Sequence, residues 1–207
     1  MEWIILGIFA FVAFLLLLIL IIRALGNSGG YQNLDDLEIK YAGKQGEKIA
    51  GNVIARLLNE DDYLLSNVKV SFEEHQTEID KLIINSHGIY IIEVKNFSGC
   101  LFGSEKDKEW QKYKVTDAGN TYGKTVPNPL HQVKRQIWIL KSYLCDKGIK
   151  GIWIKGYVYM VNENSPFESE LLLNNKEDVD YAIHGSDEQV LSDKQINKIL
   201  ELLGGNN

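Results

Sequence analysis

Apolar and polar positions along the 207-residue chain change their period several times, and each change marks an element. Trp3 to Ile22 is a run of twenty uncharged residues, long enough as a helix to cross the hydrocarbon layer of a bilayer. Residues 45 to 58 carry Ile49, Val53, Ile54, Leu57 and Leu58 at helical spacing, and the polar stretch Asn59 to Asp62 stops that helix. Tyr63 to Phe72, Thr77 to Ile84, Ile89 to Lys95, and shorter pieces at Cys100 to Phe102 and Trp110 to Val115 read as strands of a largely antiparallel meander.

Asn128-Pro129 then opens a second helix, an N-cap residue followed by proline at the first helical position. Leu130, Val133, Ile137, Leu140 and Leu144 lie on one face of it, and Lys147-Gly148 ends it. Strands are expected at Ile152 to Val161 and Val179 to Ile183. The capping pattern Ser192-Asp193-Lys194-Gln195 starts a last helix through Ile196, Ile199 and Leu203. The sum is an α/β fold, a mixed β-sheet flanked by helices and preceded by a single transmembrane helix. The expected organisation is an anchor over residues 1–23, a linker over 24–42 with the flexible tether Gly26 to Gly30, and a globular domain over 43–207.

A cleaved signal peptide is the rival reading of the first segment. Ala24-Leu25-Gly26 offers small residues, but Met1-Glu2 is not a basic leader and the apolar run is long for that role. Arg23, Lys40 and Lys44 follow the span while Glu2 precedes it, so the domain is expected on the cytoplasmic side. Two cysteines, Cys100 and Cys145, exclude a disulfide scaffold, have no metal-ligand spacing and suit a reducing compartment.

The net charge of -6 hides a marked asymmetry. Residues 95–155 hold twelve Lys+Arg against five Asp+Glu, whereas the segments on either side are acidic. A basic middle third permits phosphate binding, and equally describes a solvated lysine face.

Candidate chemistry comes from charges standing where a core should be. Alternation puts Asp80 on the face of Leu82 and Ile84, with Ile79 and Ile83 on the other; Glu93 and Lys95 share a face with Ile89 and Ile91. Carboxylates on interior strands must be paired or must shift their pKa. If Asn85-Ser86-His87-Gly88 closes a hairpin with Ile84 opposite Ile89, Asp80 and Glu93 face each other and require a cation between them. A slip of one residue instead sets Asp80 against Lys95 as a plain ion pair. Glu47 is the third odd charge, either inside the apolar arc of its helix or an ordinary acid of the first turn.

Gly46-Glu47, Thr77-Glu78-Ile79-Asp80, Gly88 to Asn96, Gly99, Trp110 and Asn128-Pro129-Leu130-His131-Gln132 together resemble the nuclease-related domain family over residues 43–145. That family is regarded as a branch of the PD-(D/E)XK restriction-endonuclease-like superfamily. Ile79 stands where the superfamily name has proline. The resemblance implies Asp80 and Glu93 as ligands of Mg2+ or Mn2+, Lys95 as the cation that positions water, and Glu47 as the helix-borne acid of the catalytic set.

Gln132, beside Arg135, reads either as a substrate phosphate contact or as a solvated helix residue. His87 and His131 read as surface residues, His75 and His184 carry no reading, and Trp110, Trp138 and Trp153 are expected in the core. The expected function is that of a membrane-anchored, metal-dependent nuclease acting on nucleic acid, DNA more than RNA. A non-catalytic, membrane-tethered module binding nucleic acid or protein with the same fold is the alternative.

Overall fold

The computed structural model describes residues 30–115, 119–186 and 188–204. The chain divides into two units, Met1–Tyr41 and Ala42–Asn207, and the expected site residues all belong to the second. The expected membrane span at residues 3–22 lies outside the described residues, and no described helix is long and apolar enough to cross a membrane.

Helix α1 spans Gly30–Leu57, so residues 30–42, expected as linker, are helical. Strands β1 (Tyr63–Phe72), β2 (His75–Asn85) and β3 (Gly88–Lys95) follow as an antiparallel meander. The β2–β3 turn is the expected two-residue hairpin with Ile84 opposite Ile89. The Asn85 side chain accepts from the His87 amide at 3.0 Å, fixing the turn.

Strands β4 (Cys100–Phe102), β5 (Glu109–Val115) and β6 (Thr121–Pro127) form a separate three-stranded antiparallel sheet rather than extending the first. Helix α2 (Pro129–Asp146) begins at the expected Asn128 cap. The cap's side-chain oxygen accepts from the Leu130 amide, and its Nδ2 donates to the carbonyls of Ser104, Glu105 and Asp107. Strand β7 (Ile154–Met160) returns parallel to β3, and the short β8 (Leu172–Leu173) completes a mixed sheet of order β1-β2-β3-β7-β8.

Val179 to Ile183, expected as a strand, belongs to helix α3 (Lys176–His184). Its β-branched residues stand four apart, on one helical face. The Asn175 side chain caps it by accepting from Asp178, and Glu177 and Asp178 occupy its first turn, where negative charge is favoured. Helix α4 (Asp193–Gly204) starts with the expected cap, the Ser192 amide and hydroxyl both donating to Gln195.

Three apolar clusters hold these layers. Ile139, Leu140 and Leu144 of α2 and Ile196, Ile199 and Leu203 of α4 cover one face of the large sheet. Ala50 and Ile54 of α1 and Val179 and Ile183 of α3 cover the other, over Ile83, Tyr90 and Ile92. Trp110 and Val126 of the small sheet pack with Leu130 and Val133 of α2 and Met160 of β7. Burial of this apolar area is the main term opposing chain entropy.

Trp110 is buried as expected, but Trp138 and Trp153 are 47 % and 62 % exposed. Trp138 instead meets Phe72 and His75 edge-on at the protein surface. Ile79 also departs from expectation, packing in the cluster of Leu82 and Ile84 rather than with Ile83. The strand alternation does not run unbroken through Asp80.

Candidate active site

The interruption at Asp80 organises the site. Strand β1 pairs with β2 from Tyr63↔Ile84 to Ser66↔Lys81 and resumes at Val68↔Ile79. Strand β3 pairs with β2 from Asn85↔Gly88 only as far as Lys81↔Ile92. Asp80 therefore sits in the interior strand β2 between Asn67 on one side and Glu93 on the other, where both ladders lapse. Asn67 takes a left-handed backbone (φ 55°), a conformation that asparagine tolerates. On the opposite side the Val94 amide donates to Asp80 Oδ2 at 2.8 Å, so the side chain takes over a backbone donor beyond the end of the ladder. The hairpin register sets Asp80 opposite Glu93, and the slipped pairing of Asp80 with Lys95 does not occur.

Glu93 is 2 % exposed and faces α2. Lys95 Nζ donates to its Oε1 at 2.5 Å and to Gln132 Oε1 at 3.1 Å. The other oxygen, Oε2, accepts from Gln136 Nε2 at 2.7 Å. Gln136 is fully buried and also donates to the Glu78 carbonyl at 3.0 Å; with acceptors at both positions, its amide must present nitrogen there. Its Oε1 is a buried acceptor without a donor among the described residues.

Glu47 enters from α1. A Cβ on Gly46 would stand 2.7 Å from Asn96 Cβ, so only glycine lets the helix come this close to the end of β3. Asn96 Nδ2 donates to the Ala42 carbonyl at 2.8 Å and holds the same approach. Glu47 thus lies in the helix interior rather than in a first turn, and its Oε2 accepts from Asn67 Nδ2 at 3.2 Å. Asn162 and Asn164 fix the segment after Lys95 by donating to the carbonyls of Phe97 and Gly99.

Electrostatics follow from this geometry. Burial first, then the Glu93 charge and to a lesser degree Glu47, push the Asp80 carboxyl up to about 7, against the opposing pull of the Val94 amide and Lys95. Asp80 thus feels two acids, Glu93 and Glu47, against one lysine, a surplus of negative charge that a cation would relieve. Among the described residues, no three His, Cys, Asp or Glu side chains converge closely enough to hold a metal ion by themselves. Two carboxylates remain, Asp80 with an Oδ1 that no described residue donates to and Glu93 with Lys95 as the movable partner of Oε1. Such a set fits a hard divalent cation that keeps most of its water.

Of the expected site residues, the structure gathers Glu47, Asp80, Glu93, Lys95 and Gln132. Arg135 is exposed and makes no hydrogen bond or ion pair with the described residues. Gln136 escaped the sequence reading, although an amide at the centre of the stripe Val133, Ile137, Leu140 is a polar interruption that could have flagged it. Asn67 and Asn96 left no comparable signal. His184, to which no role was given, is clamped between Asp62 at 2.9 Å and Asp180 at 2.8 Å, near the hairpin end of the sheet. A cavity of about 890 Å³ lined by Val133, Lys155, Tyr157, Asn174 and Tyr181 lies beside β7 and includes none of the gathered residues.

The fold and site thus define an α/β domain with an aspartate on one strand facing a Glu-x-Lys segment on the next. The family model of the nuclease-related domain matches residues 42–161, more than half of the chain, and the chain belongs to that family. An uncharacterized protein from Bacillus anthracis is 32 % identical over 110 residues, which is 51 % of this chain and 50 % of that protein. The chain therefore spans about half the length of this curated relative. No solved structure matches.

Proposed function

We propose that the domain hydrolyses phosphodiester bonds in nucleic acid, DNA before RNA, on a restriction-endonuclease-like core of the PD-(D/E)XK kind. The observation that carries the reading is the meeting of Asp80 and Glu93 where β2 loses its pairing, with Lys95 two residues on and Glu47 close enough to raise Asp80 further. Asp80 Oδ1 and Glu93 Oε1 would hold Mg2+ or Mn2+, which supplies charge neutralisation at the phosphate and a more acidic bound water. Lys95, released from Glu93 Oε1, would orient the attacking water or stabilise charge on phosphorus. Gln136 keeps Glu93 aimed at the site, Gln132 holds the lysine in reach, and Glu47 adds negative charge beside Asp80.

The decisive test is cleavage of labelled DNA and RNA by the full chain with Mg2+ or Mn2+. Asp80→Ala and Lys95→Ala should each lower the rate by about a hundredfold or more while the fold is retained. Cleavage that survives both substitutions refutes the assignment. A second reading, a non-catalytic binding module, is favoured by one observation: both Glu93 oxygens are already engaged by Lys95 and Gln136. It expects nucleic-acid or protein binding without metal-dependent turnover. For residues 3–22 we propose a membrane anchor with the domain on the cytoplasmic face; extraction of the chain from membranes by alkaline carbonate would refute it.

A further inference from the structure

We propose that Lys112, Lys114, Lys124 and Tyr122 form a track on the small sheet that carries the sugar-phosphate backbone of a nucleic acid toward Asp80 and Glu93. The inference rests on the nuclease reading and names the surface that would hold its substrate. In the β5–β6 register Lys112 stands opposite Lys124 and Lys114 opposite Tyr122. Strand alternation places all four on the face of Trp110 and Val126, which are buried against the core at one end of the ribbon. Toward the other end that face is open, and Tyr122 is 62 % exposed.

Directly opposed like charges destabilise a sheet, and no described Asp or Glu forms an ion pair with any of the three lysines. Glu109, the acid of β5, alternates to the opposite face. Burial, then Lys124 and Lys114, lowers the Lys112 pKa, as unrelieved repulsion would. Among the described residues this strain meets no counter-charge, which an external polyanion would provide.

Position selects the polyanion. Lys112 Nζ lies 5.7 Å from the centre of the Phe97 ring, and Phe97 follows Lys95 by two residues. The track therefore begins against a residue two positions along the chain from Lys95, as a phosphate path leading to that lysine requires and as an anionic lipid surface need not. An exposed tyrosine among lysines adds a stacking surface for a base.

The test is fluorescence anisotropy of labelled single- and double-stranded oligonucleotides with the full chain in chelator, across a salt series. Joint replacement Lys112→Gln, Lys114→Gln, Lys124→Gln should weaken binding at low salt by about tenfold or more and flatten the slope of log affinity against log salt by about 2 to 3. The three Lys→Arg replacements should restore both. The thermal midpoint of the glutamine variant should equal or exceed that of the parent, since repulsion is removed. Unchanged affinity and slope overturn the track; if Asp80→Ala still abolishes cleavage, the nuclease reading survives that failure. Lysine-dependent binding without any cleavage by the parent upholds the track and overturns the nuclease. Loss of binding to phosphatidylserine vesicles with oligonucleotide binding intact overturns the track in favour of a lipid surface.

Discussion

Replacing Asp80 by asparagine should stabilise the metal-free protein at neutral and alkaline pH while abolishing cleavage. Asp80 moves from an ordinary 3.8 to about 7 on folding, chiefly because its charge is buried and faces Glu93. Between those values the folded chain keeps a proton that the unfolded chain releases, so wild-type stability falls as pH rises through that window and levels off above it. Carrying the carboxyl from 3.8 to about 7 corresponds to at most about 4 kcal/mol at the plateau, screened by the solvent that still reaches the group. Asparagine keeps an acceptor for the Val94 amide and turns an N–H toward the acidic pocket, so the penalty disappears and little else changes. Urea unfolding of both proteins in chelator should give equal stabilities near pH 4 and a gap of a few kcal/mol in favour of Asp80→Asn at pH 8. In thermal melts that gap is on the order of 10 °C. Saturating Mn2+ should then narrow it by stabilising the parent alone, by about 2.7 kcal/mol at a hundredfold excess over the dissociation constant. Parallel pH curves, or an asparagine variant less stable than the parent at pH 8, would refute the claim that Asp80 carries an uncompensated charge.

Gln136→Leu removes the donor to Glu93 Oε2 and to the Glu78 carbonyl, and should cost about 1–3 kcal/mol in unfolding experiments. Mn2+ affinity measured by calorimetry should fall about 10–100-fold, and unaltered affinity would exclude a positioning role for this glutamine. Burial opposes charge on His184, but its hydrogen bonds to Asp180 and Asp62 prevail and hold its pKa above 6.5. The stability it contributes is fully present below pH 6.5 and is lost as pH rises through the folded value. His184→Gln should therefore destabilise more at pH 6 than at pH 9, and a loss independent of pH would show that the clamp is not ionic.

The legible parts of this fold were those decided locally. The Asn85–Gly88 hairpin and the Asn128 cap rest on turn and cap chemistry within four residues, and the hairpin alone sets Asp80 opposite Glu93. Val179 to Ile183 misled because two β-branched residues four apart suit a buried strand or a helix face, and only the Asn175 cap and the acids behind it decide. The start of α1 at Gly30 was hidden by its polarity: residues 36–41 are exposed, so no apolar stripe announces a helix there. The pattern of its neighbours places Trp153 in the core, whereas its own position precedes the strand and opens to solvent.

What no local rule could reach is the environment of Asp80. Its identity as an interior acid was visible in the sequence, but the reason it can be tolerated lies in long-range contacts. Asn67 breaks one ladder, the Val94 amide turns to the side chain beyond the end of the other, and Gly46 admits α1 near enough for Glu47 to add its charge. Each of these residues is unremarkable alone, and together they leave a carboxylate in an interior strand without an ion-pair partner among the described residues. A purely structural role would have placed Lys95 on Asp80. The lysine instead donates to Glu93 and Gln132, and among the described residues no lysine, arginine or histidine forms an ion pair with Asp80.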